Sequence, residues 1–251
     1  MFFSPLEQFQ ILPIFQFSVG SFDFSITNGV IILFLGLAFF FFMLNSLLIN
    51  GKSFAIVPNR IQIVVESIYS VTYSLLEDNV GKSAKSFFPY IFTLFTFIVI
   101  SNVIGLVPYS FTITSHLIVT LSLALMTFIG INLICIREHG VNMLSLFLPP
   151  GASLGLALLL VPIELVSYVF RPISLAVRLF ANMMAGHTLL KVIAGFAWTM
   201  MLSGGALLVA HLVPLFILVL LMGLELGVAI IQAYVFTILT CIYLNDAIHL
   251  H

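Results

Sequence analysis

Two apolar stretches near the carboxyl end constrain the fold more than anything else in the chain. Residues 153–202 and 206–247 are separated only by Ser203-Gly204-Gly205. As a straight helix each would run roughly 60 Å or more, about twice the ~30 Å thickness of a bilayer's hydrocarbon. Each is therefore two ordinary spans or one long helix lying strongly tilted, and Pro162, Pro172 and Pro214 allow kinks under both. No polar loop interrupts either stretch, as a tight return into water requires. A long, tilted helical hairpin is the expectation adopted.

Composition explains why lipid is the solvent. The 251 residues are 62% apolar and 7% charged, with mean hydropathy +1.26 and a net charge of −1. A soluble chain of this length buries only about three quarters of its surface and cannot hide that much apolar area. Soluble enzymes, secreted disulfide scaffolds and nucleic-acid binders are thereby excluded, and no basic patch favours nucleic acid. Cys135 and Cys241 lie in apolar runs at no metal-ligand spacing and read as small core residues. The first basic residue is Lys52, so neither a cleavable signal nor a matrix-targeting presequence is expected.

The chain reads as one membrane domain, 1–251. Residues 1–28 form a mixed surface segment, and 29–49 make an uncharged span. Residues 50–86 hold seven charges, and within them Ile61, Val64, Val65, Ile68, Val71, Thr72 and Leu75 recur every three or four positions. That pattern predicts an amphipathic surface helix over 60–78. Spans follow at 87–107 and 114–136, joined by a turn at Pro108-Tyr109-Ser110. The predicted fold is an all-α integral membrane protein: about three ordinary transmembrane helices, an amphipathic surface helix and the tilted two-helix hairpin. Lys52, Arg60, Lys82 and Lys85 place the loop after the first span on the negative, cytoplasm-like side, so the amino terminus faces outward. Arg137 returns to the negative side two crossings later.

Seven charged or histidine residues interrupt the hairpin's apolar sequence: Glu164, Arg171, Arg178, His187, Lys191, His211 and Glu225. A centrally placed Arg costs ~2.5–3.5 kcal/mol to insert, so each needs a partner, water or a task. Lys191 suits snorkelling to a headgroup, His211 a hydrogen-bonded interfacial position, and Arg171 either an anchor or a mechanistic role. At about 100° per residue, Glu164, Arg171, Arg178 and Asn182 share one helical face, as do Glu225, Gln232 and Tyr243 on the second stretch. Folding the hairpin about Gly204-Gly205 brings Arg178 opposite Gln232, His187 opposite Glu225, and Glu164 opposite Asp246. Such a stripe either hydrogen-bonds two helices together or forms a route for an ion.

Chemistry narrows the ion. His and Glu exchange protons near neutral pH when their surroundings favour it, whereas Arg holds its proton. A continuous wire from His187/Glu225 to Glu164/Asp246 would be a leak. Two half-routes divided by Arg178 force the proton onto another carrier, which this chain does not supply, so a partner is implied.

At these residues the sequence closely resembles subunit a of the F-type ATP synthase, in a mitochondrial, plant- or protist-like form. The matching words are Pro162-Ile163-Glu164, the run from Ser174 through Ala176-Val177-Arg178-Leu179 and Asn182 to Gly186-His187, then Glu225-Leu226-Gly227 through Gln232-Ala233-Tyr234, and Tyr243-Leu244-Asn245-Asp246. Ser4-Pro5-Leu6-Glu7-Gln8-Phe9 and Pro108-Tyr109-Ser110-Phe111 match as well. The resemblance implies a non-catalytic stator subunit in the mitochondrial inner membrane, amino terminus toward the intermembrane space and carboxyl terminus toward the matrix. Its implied partners are a ring of c subunits bearing mid-membrane carboxylates, the peripheral stalk, other membrane-sector subunits and the lipid bilayer, with protons as the transported ion and no nucleic acid. It assigns proton uptake to His187 and Glu225, proton release to Glu164, Asp246 and Tyr243, and separation of the routes to Arg178, with Asn182, Gln232 and Ser174 in support. No nucleotide-binding loop is visible and no cofactor is expected.

Two other classes compete. A proton-coupled secondary transporter predicts inverted repeats, and no convincing repeat is found. A haem-binding electron-transfer subunit wants paired axial histidines, which His187 and His211 do not supply. A metal at His249 and His251 with Asp246 competes with a solvated tail.

Overall fold

A computed structural model describes residues 4–20, 22–49, 60–107, 110–140, 154–205 and 207–248. Lys52, Pro108, Tyr109 and the two tail histidines, His249 and His251, lie outside the described residues. The elements are a 3-10 turn (Pro5–Phe9), strands β1 (Pro13–Phe15), β2 (Ser18–Val19), β3 (Phe22–Asp23) and β4 (Ile26–Thr27), then helices α1 (Asn28–Ile49), α2 (Arg60–Val80), α3 (Phe88–Gly105), α4 (Leu117–His139), α5 (Leu154–Ser203), α6 (Leu207–Ala210) and α7 (Leu212–Ile248). The protein is an all-α membrane protein: α1, α3, α4, α5 and α7 are each long and apolar enough to cross a bilayer.

The amino-terminal segment is more ordered than a mixed composition suggests. Strand β1 pairs antiparallel with β4, and β2 with β3, so the chain doubles back into a short ribbon. Asn28 ties that ribbon to α1. Its Oδ1 accepts from the amides of Leu12 (3.3 Å) and Gly29 (2.9 Å), and its Nδ2 donates to the Gln10 carbonyl (3.1 Å). One amide side chain therefore caps a helix start and holds the strand strap across it.

Helix α1 buries none of its apolar window within the chain, which leaves that surface to lipid or other subunits. Helix α2 carries the three-and-four spacing read from the sequence, but its two halves behave differently. Thr72, Leu75, Leu76 and Val80 are buried, with Leu76 and Val80 packing against Ile91 of α3 and Cys241 and Leu244 of α7. Ile61, Val64 and Val71, nearer its start, stay exposed. The middle of the helix meets α3 through an aromatic group in which the Tyr69 ring lies 4.7 Å from Phe88.

The core joins four helices. Leu94, Phe95 and Ile98 of α3, Ala124 of α4, Leu175, Ala176 and Leu179 of α5, and Ala233 and Phe236 of α7 form one buried cluster. Ala176, Ala229 and Ala233 are fully buried, so small side chains bring the helix backbones close, and packing rather than the hydrophobic effect holds helices together in lipid.

Helix α5 runs 50 residues, about 75 Å, and α7 runs 37, about 55 Å. They pack against each other, and the chain reverses between Ser203 and Leu212. Gly204 and Gly205, with φ of 68° and 61°, take the left-handed turn that only glycine adopts without strain. The second apolar stretch is not one unbroken helix: α6 stops at Ala210 and α7 starts at Leu212. Pro214 explains the break, because in a continuous helix its ring clashes with the Ala210 carbonyl and offers it no N–H. The reversal is consequently centred about Leu207 and not on Gly204-Gly205. Pro162 and Pro172, by contrast, are accommodated inside α5.

Candidate functional site

The polar residues of α5 and α7 fall at successive levels along the pair. Nearest the reversal, His187 Nε2 lies 3.7 Å from Glu225 Oε1, and Glu225 is only 5% exposed. The carboxylate reaches this position because residue 186 is glycine. A Cβ there would stand 2.6 Å from Glu225 Oε1 and 2.9 Å from its Cδ. The other side of the His187 ring is met edge-on by Phe9 of the 3-10 turn, at 6.5 Å between centroids.

One level further from the reversal, Asn182 Nδ2 donates to Gln232 Oε1 at 2.8 Å. Gln232 is 4% exposed. Arg178 follows one turn along the same face of α5. It is exposed, and no ion pair joins it to another described residue. The position expected opposite it, Gln232, is taken by Asn182.

At the far end, Arg171 Nη1 lies 3.5 Å from Asp246 Oδ2. The guanidinium carbon sits 5.0 Å from the Tyr243 ring centroid and 5.3 Å from that of Tyr168, so two aromatic faces hold it. The Tyr168 hydroxyl donates to Asn132 Oδ1 on α4. Asp246 was expected to face Glu164 but meets Arg171. The mid-point between facing residues drifts along the pair, from 206 at His187–Glu225 to 207 at Asn182–Gln232 and 208.5 at Arg171–Asp246, and doubling the last offset from the expected 205 gives the seven residues, two helical turns, between Glu164 and Arg171. Glu164 lies those two turns beyond Arg171 on α5. Ser174 is exposed and makes none of these contacts.

Three residues at the site were not singled out from the sequence. Asn102, fully buried on α3, donates through Nδ2 to the Ala229 carbonyl at 3.1 Å, one turn from Glu225. An amide beside Ser101, near the end of a mostly apolar span, was the available signal. Gly186 and Tyr168 carry no signal in isolation, since their roles exist only against α7 and α4.

His187 with Glu225 and Arg171 with Asp246 therefore sit at opposite ends of one helix pair, roughly 24 Å apart along α5, with the Arg178 guanidinium between them, joined by no ion pair to another described residue. The sequence profile of the family described as ATP synthase A chain matches residues 29–245. The chain belongs to the ATP synthase subunit a family. It is 62% identical to ATP synthase subunit a of Pylaiella littoralis, over all of both chains. It is 50% identical to that of Chondrus crispus, over 99% of this chain and 97% of the relative. For Marchantia polymorpha the identity is 48%, over 99% of each. As a subunit a it is a multi-pass component of the membrane sector of the F-type ATP synthase, serving proton transport and ATP synthesis alongside other subunits of that complex.

Proposed function

We propose that this subunit provides two offset proton half-routes to the carboxylates of a rotating c ring in the mitochondrial inner membrane. The observation that carries the reading is Arg178: a guanidinium exposed on the flank of α5, between His187–Glu225 at one end and Arg171–Asp246 with Tyr243 at the other. A charge with no ion-pair partner among the described residues is costly in lipid and is answered by a partner on another subunit. A ring carboxylate has the complementary chemistry.

Protons reach the ring from the intermembrane space by way of His187 and Glu225 and neutralise one carboxylate. The neutral form turns through lipid cheaply, where the charged form does not. On its return the carboxylate meets Arg178, whose charge favours ionisation, and the proton leaves toward the matrix past Asp246, Tyr243 and Glu164. Arg, which cannot deprotonate, blocks direct passage between the two routes. Lys would serve less well, since a buried Lys loses its proton. Asn182 and Gln232, bonded to each other one turn away, set the shape of the surface on which Arg178 stands, and Ser174 lies one turn to the other side. The amino terminus faces the intermembrane space, the long helices lie obliquely across the bilayer, and the peripheral stalk holds the subunit against rotation. Each proton crossing releases ~2.3 kcal/mol per 100 mV, so several are needed for each ATP.

Arg178→Ala in the assembled complex tests the reading. Membranes carrying it are expected to contain the complex at near-normal abundance and to make no ATP from an imposed proton gradient. Normal coupled synthesis by the assembled variant overturns the mechanism.

A further inference from the structure

Helices α4 and α7 end side by side. Ile131 and Cys135 of α4 pack with Ala247 of α7, and Tyr243 packs against them. Beyond Cys135 and Ala247 both helices stop, α4 at His139 and α7 at Ile248. Each presents the negative end of its dipole there, with last-turn carbonyls that have no partner within their own helix. The last turn of α7 has no basic residue to offset that charge, and it carries Asp246.

The missing donor comes from α4. His139 Nε2 stands 3.0 Å from the Ile248 carbonyl oxygen. A carbonyl only accepts, so Nε2 bears the hydrogen and donates it, whether the ring is neutral or charged. Ile131, Cys135 and His139 follow at four-residue spacing, so the imidazole continues the face of α4 that packs on α7. Its neighbours Arg137 and Glu138 are exposed, whereas His139 is half-buried. The Ile248 side chain turns the other way, against the cluster of Leu76, Val80 and Ile91.

This bond closes a circuit of polar contacts through three helices. Asn132 of α4 accepts from the Tyr168 hydroxyl of α5, and the Tyr168 ring lies 4.9 Å from Phe128. The Arg171 guanidinium stands over the rings of Tyr168 and Tyr243 and 3.5 Å from Asp246. Two residues after Asp246, Ile248 returns the circuit to α4 at His139. Helix ends fray, and a partly exposed ion pair holds a carboxylate only weakly. With the His139 link removed, the turn that carries Asp246 keeps apolar packing and that one ion pair.

We propose that His139 is a positioning residue for proton release: by donating through Nε2 to the Ile248 carbonyl, it holds the last turn of α7 so that Asp246 stands at Arg171. It acts through Asp246 and exchanges no proton with the carrier itself. This rests on the half-route reading and names a residue on which the inner half depends.

The test compares two amides of the same chemistry and different reach, in membranes carrying the whole complex. His139→Gln places an amide nitrogen about where Nε2 stands, and His139→Asn falls short of it. ATP synthesis from an imposed proton gradient is measured per assembled complex. His139→Gln is expected to match the unmodified protein, and His139→Asn to be about fivefold slower, the population change that one hydrogen bond brings. In an Arg171→Gln background, where the Asp246 pair is already broken, His139→Asn is expected to change nothing further. Equal rates for the Gln and Asn variants, or a full further loss in the Arg171→Gln background, overturn the proposal. Asp246→Asn separates the two readings. Normal synthesis by it overturns the half-route reading; slow synthesis by it beside a normal His139→Asn overturns the positioning role alone.

Discussion

Gly186→Ala adds one methyl group at the point where α5 and α7 expose their chemistry to each other. The new Cβ would stand 2.6 Å from Glu225 Oε1, 2.9 Å from Cδ and 3.2 Å from Cγ. Ordinary carbon contacts begin near ~3.5 Å, so the carboxylate has to retreat by roughly 1 Å. Two effects on stability oppose each other. Alanine in place of a helical glycine gains about 0.8–1 kcal/mol, and overpacking a tight site costs about 1–3 kcal/mol. The complex should therefore assemble with a net loss of at most about 2 kcal/mol. Function is more sensitive, because a 1 Å misplacement of a reacting group costs on the order of 10²-fold. Proton pumping driven by ATP, followed with a pH-sensitive dye in inside-out vesicles, is expected to fall between tenfold and a hundredfold. Gly195→Ala is the matched control: it lies on the same helix and a Cβ there meets nothing within 4 Å. It should leave pumping unchanged. Equal pumping by the two variants would refute the argument that Glu225 must stand where Gly186 lets it.

Asn182→Leu leaves Gln232 buried with neither end of its amide paired, and should lower the stability of the assembled complex by about 1–3 kcal/mol. Adding Gln232→Leu should return most of that loss, and thermal dissociation of single and double variants checks it; strictly additive losses contradict the pairing. Arg171→Gln breaks a partly exposed ion pair worth no more than about 1 kcal/mol, so thermal stability should barely move. Proton release on the matrix side should nevertheless slow severalfold, and an unchanged ATP synthesis rate would remove Arg171 and Asp246 from the outer half's counterpart.

Much of the architecture could be read along the chain because the relevant signals are local. Apolar runs against ~30 Å of hydrocarbon give the spans, and about 100° per residue puts Glu164, Arg171, Arg178 and Asn182 on one face without reference to any neighbour. The contact of His187 with Glu225 was also legible, since it lies near the reversal, where the register of the two helices has drifted least. Further out the drift grew. Gln232 found Asn182 one turn from the expected Arg178, and Asp246 found Arg171 two turns from Glu164. Pro214 was visible all along, but its effect on the start of α7 depends on which helix it interrupts.

The ribbon over residues 13–27 and the buried segment 110–116 were less legible still. Neither has a periodic pattern; the first is held by Asn28 reaching back to Leu12 and Gln10, the second by glycines on two other helices. What the amino-acid sequence by itself determined was the solvent, the number of long helices and the kinds of side chain each carries on which face. Tertiary structure alone decided which of those side chains meet and that Arg178 stands exposed on α5, joined by no ion pair to another described residue. The reason is physical: helical periodicity fixes angle within one helix, whereas height between helices follows from the turn that joins them and the side chains that pack there.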